Sequence, residues 1–571
     1  MDISALYKLW IERATDDSDI STELENIKGN EEEIKDRFYK NLEFGTGGLR
    51  GVIGAGTNRM NVYTVRRASQ GFANYLNERF ENPKVAIAYD SRIKSDKFAS
   101  EAARVFAANG VKAYIFPELE PTPVLSFAVR ELGASGGVVV TASHNPSKYN
   151  GYKAYGADGC QMTIDAAAAV LEQIEKTDMF DGVKAISFEE GLANGSIEYI
   201  GNDVLESFYK NVMAQSINPD LCAKAGLKVV YTPLNGTGNK PVREILKRIG
   251  INDVVVVPEQ ENPDGNFPTC PYPNPEIREA LSKGLELCEK VQPDLLLATD
   301  PDCDRVGIAV PAGEGKYVLF TGNEVGAMLL DYICEQRTAK GTMPERPVAI
   351  KTIVSSDIIF EIAKVYNLEV IETLTGFKFI GEQIGFLEEK GEKDRYIFGY
   401  EESYGYLAGT YARDKDAVVA SMLICEMAAF YRSKGISMLQ ARNNMYAKYG
   451  VYFHKQESFT FEGASGMLKM KEMMQSLRDN TPSEICGLKV ISVSDYQESK
   501  KYENGSTTDI DLPKSDVIGF ALEGSAGVII RPSGTEPKIK AYYTTRGTSS
   551  QEAEDLCAKL DASFREILGI K

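Results

Sequence analysis

The stretch Thr141-Ala-Ser143-His144-Asn145-Pro146 presents a hydroxyl on a polar loop directly after the apolar run Gly137-Val-Val-Val140. Asp300-Pro-Asp302-Cys-Asp304-Arg305 presents three carboxylates at alternate positions after Leu295-Leu-Leu297. On an extended segment, alternate side chains point the same way. Three aspartates aimed together repel one another unless a cation sits between them, and their hard oxygen ligands suit Mg²⁺. A serine able to carry phosphate, and a carboxylate trio able to hold Mg²⁺ against it, point to phosphoryl transfer. The serine oxygen is then the leaving group, and a metal beside it stabilises its developing charge. The bland alternatives are a turn serine and a solvated Asp-rich turn. His144 adjoins Ser143 and is kept as a candidate, although neighbours on an extended loop face apart. His144 and His454 are the only histidines, so a Ser-His-Asp triad has little to draw on.

Further loops supply anion and sugar chemistry. Arg531-Pro-Ser533-Gly534-Thr535 combines a guanidinium, two hydroxyls and a glycine, the composition of a phosphate nest. Gly45-Thr-Gly-Gly-Leu-Arg50 is Gly-rich but lacks the Lys-Ser/Thr ending of a P-loop. Glu401 and Ser403 would share a face on an extended segment and could grip vicinal sugar hydroxyls. Lys153 and Lys378 read as surface lysines until the loops are taken together.

The elements that must carry these loops recur three times. Val85–Asp90, a helix over Phe98–Ala108 and Lys112–Phe116 form one strand–helix–strand unit. Leu227–Tyr231, a helix near Val242–Ile249 and Asp253–Val257 form the second. Pro347–Lys351, a helix over Ile358–Tyr366 and Leu368–Ile371 form the third. Each is followed by one more strand ending in a polar loop, where open α/β sheets collect ligands. The fold class is α/β: three similar βαβ-containing domains around a cleft, plus a smaller C-terminal α+β domain. The expected domains are 1–202 with the serine loop, 203–316 with the metal loop, 317–450 with the sugar loop and 451–571 with the phosphate loop.

At 571 residues the chain is too long for one core. Its net charge of −18 argues against nucleic acid and anionic membranes as partners. No run approaches the roughly 20 apolar residues that span a bilayer. The opening Met1-Asp-Ile-Ser-Ala-Leu lacks signal-peptide character. Nine scattered cysteines with no C-x-x-C pair fit reduced thiols, and a cytoplasmic location is expected. An anionic substrate would need a local positive cleft inside this negative shell.

Thr-Ala-Ser143-His-Asn-Pro, Asp300-Pro-Asp-Cys-Asp-Arg305, Gly399-Tyr-Glu-Glu-Ser-Tyr-Gly405 and Arg531-Pro-Ser-Gly-Thr-Glu-Pro537 stand in the order of the α-D-phosphohexomutase superfamily, which the chain resembles from about Phe44 onward. Phe44–Gly51, Asn262–Pro268, Tyr272–Glu276 and Thr375–Lys378 resemble its phosphoglucomutase/phosphopentomutase branch. The resemblance implies a phosphosugar mutase with an active phosphoserine, Mg²⁺ and a bound bisphosphate, here glucose 1,6-bisphosphate. Ser143 matches the phosphoserine, and Asp300, Asp302 and Asp304 match the metal ligands. Glu401 and Ser403 match the sugar loop, and Arg531, Ser533, Gly534 and Thr535 match the distal phosphate loop. Arg50, Lys153, Arg305 and Lys378 match the basic residues around the reacting phosphate. Tyr406 stands where phosphomannomutases and phosphoglucosamine mutases have histidine, which favours Lys153, with a lowered pKa, as the base. Glucose phosphates are the expected substrates, with pentose or mannose phosphates as alternatives and a metal-dependent sugar phosphatase as the non-mutase reading. The expected partner is a small phosphosugar, and the expected state a monomer or dimer.

Overall fold

The computed structural model describes residues 2–45, 47–461, 463–533 and 538–570. The chain divides into two compact units, Met1–Gly322 with Phe377–Met438, and Asn323–Gly376 with Leu439–Lys571.

In the first unit, six strands pair in the order Gly48–Val52, Tyr149–Gly156, Gly136–Val140, Lys84–Tyr89, Lys112–Ile115, Ile197–Tyr199. The last four run parallel, and the first two add an antiparallel edge. A second sheet runs Tyr317–Phe320, Val306–Pro311, Leu295–Thr299, Lys228–Thr232, Asp253–Val256. Its last three strands are parallel. Gly136–Val140 and Leu295–Thr299 are buried at every position. Unbroken runs of Val and Leu suit parallel strands that are covered on both faces. The crossover helix Ser95–Ala108 buries Phe98, Ala102 and Val105, and Thr122–Glu131 buries Leu125, Ala128 and Val129. The serine loop and the aspartate loop therefore both leave the carboxyl ends of central strands.

Residues 377–438 complete this unit. Tyr396–Glu401 and Gly405–Leu407 form an antiparallel hairpin with Glu401 opposite Gly405. The helix Ala417–Ser433 is buried along most of its length. Its first turn is capped by the Asp416 carboxylate, which accepts from the Val418 and Val419 amides. An all-round apolar helix of this kind is a core helix. Among the described residues, no helix is long and apolar enough to cross a membrane.

In the second unit, Val348–Thr352 pairs in parallel with Glu369–Thr373 across the helix Ile358–Tyr366. The C-terminal sheet is antiparallel, in the order Val451–Thr460, Lys538–Gly547, Ala526–Pro532, Ile518–Leu522, Leu488–Asp495, Lys500–Glu503, Ser506–Asp509. The helix Ser550–Leu568 lays Cys557, Leu560 and Phe564 into the core with Phe520, Val528 and Ile539. The expected strand–helix–strand recurrence and the α+β C-terminal part are thus present. The sequence reading did not foresee the helices Ile3–Arg13, Ser18–Asn26 and Glu31–Phe38. Trp10 anchors them, edge-on to Phe38, Tyr63 and Phe180.

Gly151 lies where the serine loop meets its neighbouring strand. A Cβ there would stand 2.4 Å from the Thr141 carbonyl oxygen and 2.9 Å from that of Leu49. Both obstacles are backbone and cannot swing aside. Gly151→Ala should cost about 1–3 kcal/mol and displace the Thr141–Pro146 loop. Urea unfolding should show the loss, and an unchanged midpoint would contradict the close approach.

Candidate active site

Ser143 has a left-handed backbone, φ 51°. Its amide donates to Thr141 Oγ1 at 2.8 Å, and that hydroxyl donates to Asp90 Oδ2 at 2.6 Å. The conformation turns the Ser143 hydroxyl toward the second sheet, where it donates to Asp300 Oδ2 at 2.8 Å. It also places Oγ 3.1 Å from His144 Nδ1. The expectation that His144 faces away was wrong, because the loop is not extended at Ser143. Burial, with Arg305 and Arg50 nearby, holds His144 well below the usual histidine range, so the ring is neutral.

The three aspartates are buried, and one oxygen from each lies within 4.8 Å of the others. They converge through a turn rather than an extended segment, with Cys303 at φ 52°. Asp300 Oδ1 accepts the amides of Asp304 and Arg305 at 3.1 and 3.0 Å. Asp302 Oδ2 accepts Thr122 Oγ1 at 2.9 Å and Lys153 Nζ at 2.8 Å. Lys415 Nζ stands 2.8 Å from Asp304 Oδ2, and Lys153 Nζ 3.6 Å from it.

Burial, with Asp302 and Asp304 alongside, pushes the Asp300 carboxyl well above the usual range. Burial works the same way on Asp302, but the Lys153 ammonium and the hydrogen bonds outweigh it and hold that carboxyl low. Lys153 was expected to have a lowered pKa. Burial alone would lower it, yet Asp302 and Asp304 win and hold it above its ordinary value. Asp302 Oδ1 and Asp304 Oδ1 are buried without a hydrogen bond. Orphaned carboxylate oxygens within a trio of buried aspartates fit a hard divalent cation.

Lys415 escaped the sequence reading. It sits in Arg413-Asp-Lys-Asp416, whose alternating charges read as a solvated loop, and only the fold carries it to Asp304. Thr122 was missed for a similar reason: Pro121-Thr-Pro123 looks like a helix start, as it is, and its hydroxyl also serves Asp302.

The sugar-loop candidates also meet through a turn. Tyr404 has φ 64°, and Ser403 Oγ donates to Glu401 Oε1 at 2.9 Å. Arg305 donates to the Ser403 carbonyl at 3.1 Å and to Glu276 Oε1 at 2.6 Å. Glu276, at the end of Tyr272-Pro-Asn-Pro-Glu276, thereby aims the guanidinium. Arg50 donates to Asn145 Oδ1 at 3.3 Å, beside the serine. Lys378 lies in the first turn of the helix Phe377–Glu389, with the Cys160 thiol donating to its carbonyl at 3.2 Å. Burial lowers its pKa, against the nearby Cys160 and Glu382. In the second unit, Arg531 donates to Thr375 Oγ1, and the Ser533 amide donates to the Lys538 carbonyl at 2.8 Å. Gly534 and Thr535 lie outside the described residues.

Repeated α/β layers, a serine facing a buried aspartate trio and a separate Arg-Ser loop define a phosphosugar mutase. Residues 41–180, 206–313 and 321–449 match the phosphoglucomutase/phosphomannomutase alpha/beta/alpha domains I, II and III. The chain belongs to the phosphoglucomutase/phosphomannomutase family. It is 38% identical over 520 residues to a phosphoglucomutase of Staphylococcus epidermidis, covering 90% of this chain and 92% of that one. It is 36% identical over 560 residues to a phosphoglucomutase of Staphylococcus aureus, covering 97% and 98%. Its fold resembles that of pp63/parafusin, a phosphoglucomutase from Paramecium in the open form, with a TM-score of 0.68 at 16% identity, covering 93% and 96%. A phosphoglucomutase/phosphomannomutase family protein from Burkholderia thailandensis gives a TM-score of 0.66 at 17% identity, covering 92% and 96%.

Removing Lys415 would leave Asp304 short of a buried counter-charge. Lys415→Met should cost about 3–5 kcal/mol of stability in EDTA, as broken buried pairs do. Millimolar Mg²⁺ should recover part of that loss by supplying charge to the same carboxylates. Thermal melts with and without Mg²⁺ test this, and equal melting points for parent and variant in EDTA would contradict it.

Proposed function

We propose that this chain interconverts glucose 1-phosphate and glucose 6-phosphate through a phosphoserine at Ser143 and a glucose 1,6-bisphosphate intermediate. The observation that carries the reading is the Ser143 hydroxyl, 2.8 Å from Asp300 within the aspartate trio. The staphylococcal relatives support glucose as the sugar. In the first half-reaction, a sugar hydroxyl oxygen bonds to phosphorus as the Ser143 O–P bond breaks, and the serine oxygen keeps the bonding pair. In the second, the Ser143 oxygen bonds to the other phosphorus of the bisphosphate as that sugar O–P bond breaks, and the sugar oxygen keeps the pair. Asp300, Asp302, Asp304 and Ser143 would hold Mg²⁺, which when bound supplies charge for the Ser143 oxygen. Arg50, Arg305 and Lys378 would neutralise the group in flight, since such transfers run on positioning and charge.

Lys153 is the base that takes the sugar hydroxyl proton. To act so it must first lose its own proton, and Asp302 and Asp304 now hold that proton in place. A cation held by those two carboxylates would weaken that hold. Neutral His144 would fix the serine rotamer. Glu401 and Ser403 would grip the sugar hydroxyls, while Arg531, Ser533, Gly534 and Thr535 hold the phosphate that is not reacting. The four roles divide among residues 1–202, 203–316, 317–450 and 451–571. Nine free cysteines support a reducing, cytoplasmic setting.

With a catalytic amount of glucose 1,6-bisphosphate, the protein should convert glucose 1-phosphate faster than mannose, ribose or deoxyribose 1-phosphate and release little free phosphate. Mass spectrometry should place a phosphate on Ser143, and Ser143→Ala should lose roughly 10³-fold or more in turnover. A fully active Ser143→Ala protein would sink the mechanism, and a preference for ribose 1-phosphate would move the chain to pentose chemistry.

Arg531→Ala should raise KM for glucose 1-phosphate by about 10- to 100-fold, the worth of a charge-assisted phosphate contact. Labelled bisphosphate should also escape more often before it reorients. Wild-type KM and wild-type escape together would remove Arg531 from the phosphate grip.

A further inference from the structure

Directly behind the Ser143 loop lies a buried cation that the reaction above does not use. Arg92 is 3% exposed. Its guanidinium donates to the Pro146 and Tyr149 carbonyls at 3.0 Å each, and to those of Ser143 and Asn145. On its own side it faces Asp90 Oδ2 at 3.4 Å. Asp90 is held by the Ser95 and Thr141 hydroxyls at 2.7 and 2.6 Å and by the Arg92 amide at 2.9 Å. One planar group thus binds three carbonyls of the loop that carries the serine and a fourth at the start of the strand that follows it. A lysine could not do this, because its donors radiate from a single atom.

The other side of Arg92 is covered from the aspartate-bearing sequence. The Phe267 ring centre lies 5.0 Å from the guanidinium carbon. Phe267 is itself left-handed, φ 48°, and 1% exposed. Gly265 lets this loop come close, since a Cβ there would stand 2.5 Å from the Ile93 amide nitrogen. The stretch Asn262-Pro-Asp-Gly-Asn-Phe-Pro268 therefore has a role that its sequence did not declare: it seats a ring on Arg92.

We infer that Arg92, capped by Phe267, is a positioning residue for phosphoryl transfer, fixing the left-handed Ser143 and the line from its hydroxyl to Asp300. A non-glycine residue in that conformation persists only where its surroundings over-determine it. The Ser143 amide is held through Thr141 and Asp90, and its carbonyl through Arg92, so both ends of the residue are pinned. Arg92 also fixes the backbone of Asn145, whose side chain accepts from Arg50. Releasing the clamp should therefore disturb the reacting end and spare the grip on the distant phosphate. The inference rests on Ser143 as the phosphate carrier.

The test uses the full chain with Ser143 phosphorylation checked by mass spectrometry. Arg92→Ala should lower kcat about 100-fold while KM for glucose 1-phosphate stays within about threefold, as expected for misplacement without lost binding. Guanidinium ion, and not ammonium, should restore about tenfold, and Arg92→Lys should fall between parent and Arg92→Ala. Phe267→Leu, which keeps an apolar cap and removes the ring face, should lose about fivefold in kcat at unchanged KM. A kcat within twofold of parent in soluble Arg92→Lys and Phe267→Leu would overturn the inference. So would a loss in KM alone, or a loss matched by the unfolded fraction with no response to guanidinium. If Arg92→Ala fails to fold, Phe267→Leu decides. A parent without phosphate on Ser143 or without mutase activity would bring down the proposed function, and this inference with it. An active parent with indifferent variants would bring down this inference alone.

Discussion

Mutual repulsion among Asp300, Asp302 and Asp304 is the constraint around which the first unit is arranged. Two unit charges 4 Å apart interact by about 4 kcal/mol at the effective dielectric of a protein surface, and by more inside. Three carboxylates buried within 4.8 Å must be compensated from several directions. The Asp304 and Arg305 amides come from the same turn, and the Ser143, Thr122 and Lys153 groups come from the six-stranded sheet and its helix. Lys415 comes from the loop before the buried helix Ala417–Ser433. Charge compensation thus ties together parts of the chain that are more than a hundred residues apart. The same compensation leaves some aspartate oxygens without hydrogen bonds, which suits the cluster to a cation.

Each of the three loops at this site bends through a non-glycine residue in the left-handed region: Ser143, Cys303 and Tyr404, at φ 51°, 52° and 64°. Such residues cost on the order of 1–3 kcal/mol apiece. The gain is directional. An extended loop would throw His144 away from Ser143 and spread the aspartates along a line. The bent loops bring His144 Nδ1 to Ser143 Oγ, gather the three carboxylates and fold Ser403 back onto Glu401.

The chain carries a net charge of −18, yet an anionic sugar phosphate is its proposed substrate. The resolution is local. Arg50, Lys153, Arg305 and Lys415 stand at or beside the Ser143–aspartate cluster, and an acidic exterior does not weaken short-range contacts within it. At physiological ionic strength, exposed charges more than about 8 Å away are largely screened, whereas buried ones are not. The buried Lys415 and the partly buried Lys153 and Arg305 therefore set the local field.

Much of the fold was legible in order of residues alone. Unbroken apolar runs such as Val138–Val140 and Leu295–Leu297 mark buried parallel strands, because only a strand covered on both faces can use such a run. The helix Ile358–Tyr366 fell where its apolar spacing puts it. That Ser143 meets the aspartates and Ser403 meets Glu401 was legible, because the proposed chemistry needs particular residue types after particular strands. Other features were not. Lys415 and Thr122 carry no local sign of their role, since an alternating-charge loop and a helix start have ordinary uses. The proton affinity of Lys153 was misjudged because burial and counter-charge pull in opposite directions, and only the distances to Asp302 and Asp304 say which prevails. Local periodicity, loop composition and residue type are properties of neighbours along the chain, so the sequence determined them by itself. Which carboxylate meets which cation, and which backbone angle turns a side chain inward, depends on residues brought together across the fold, so only the tertiary structure could decide it.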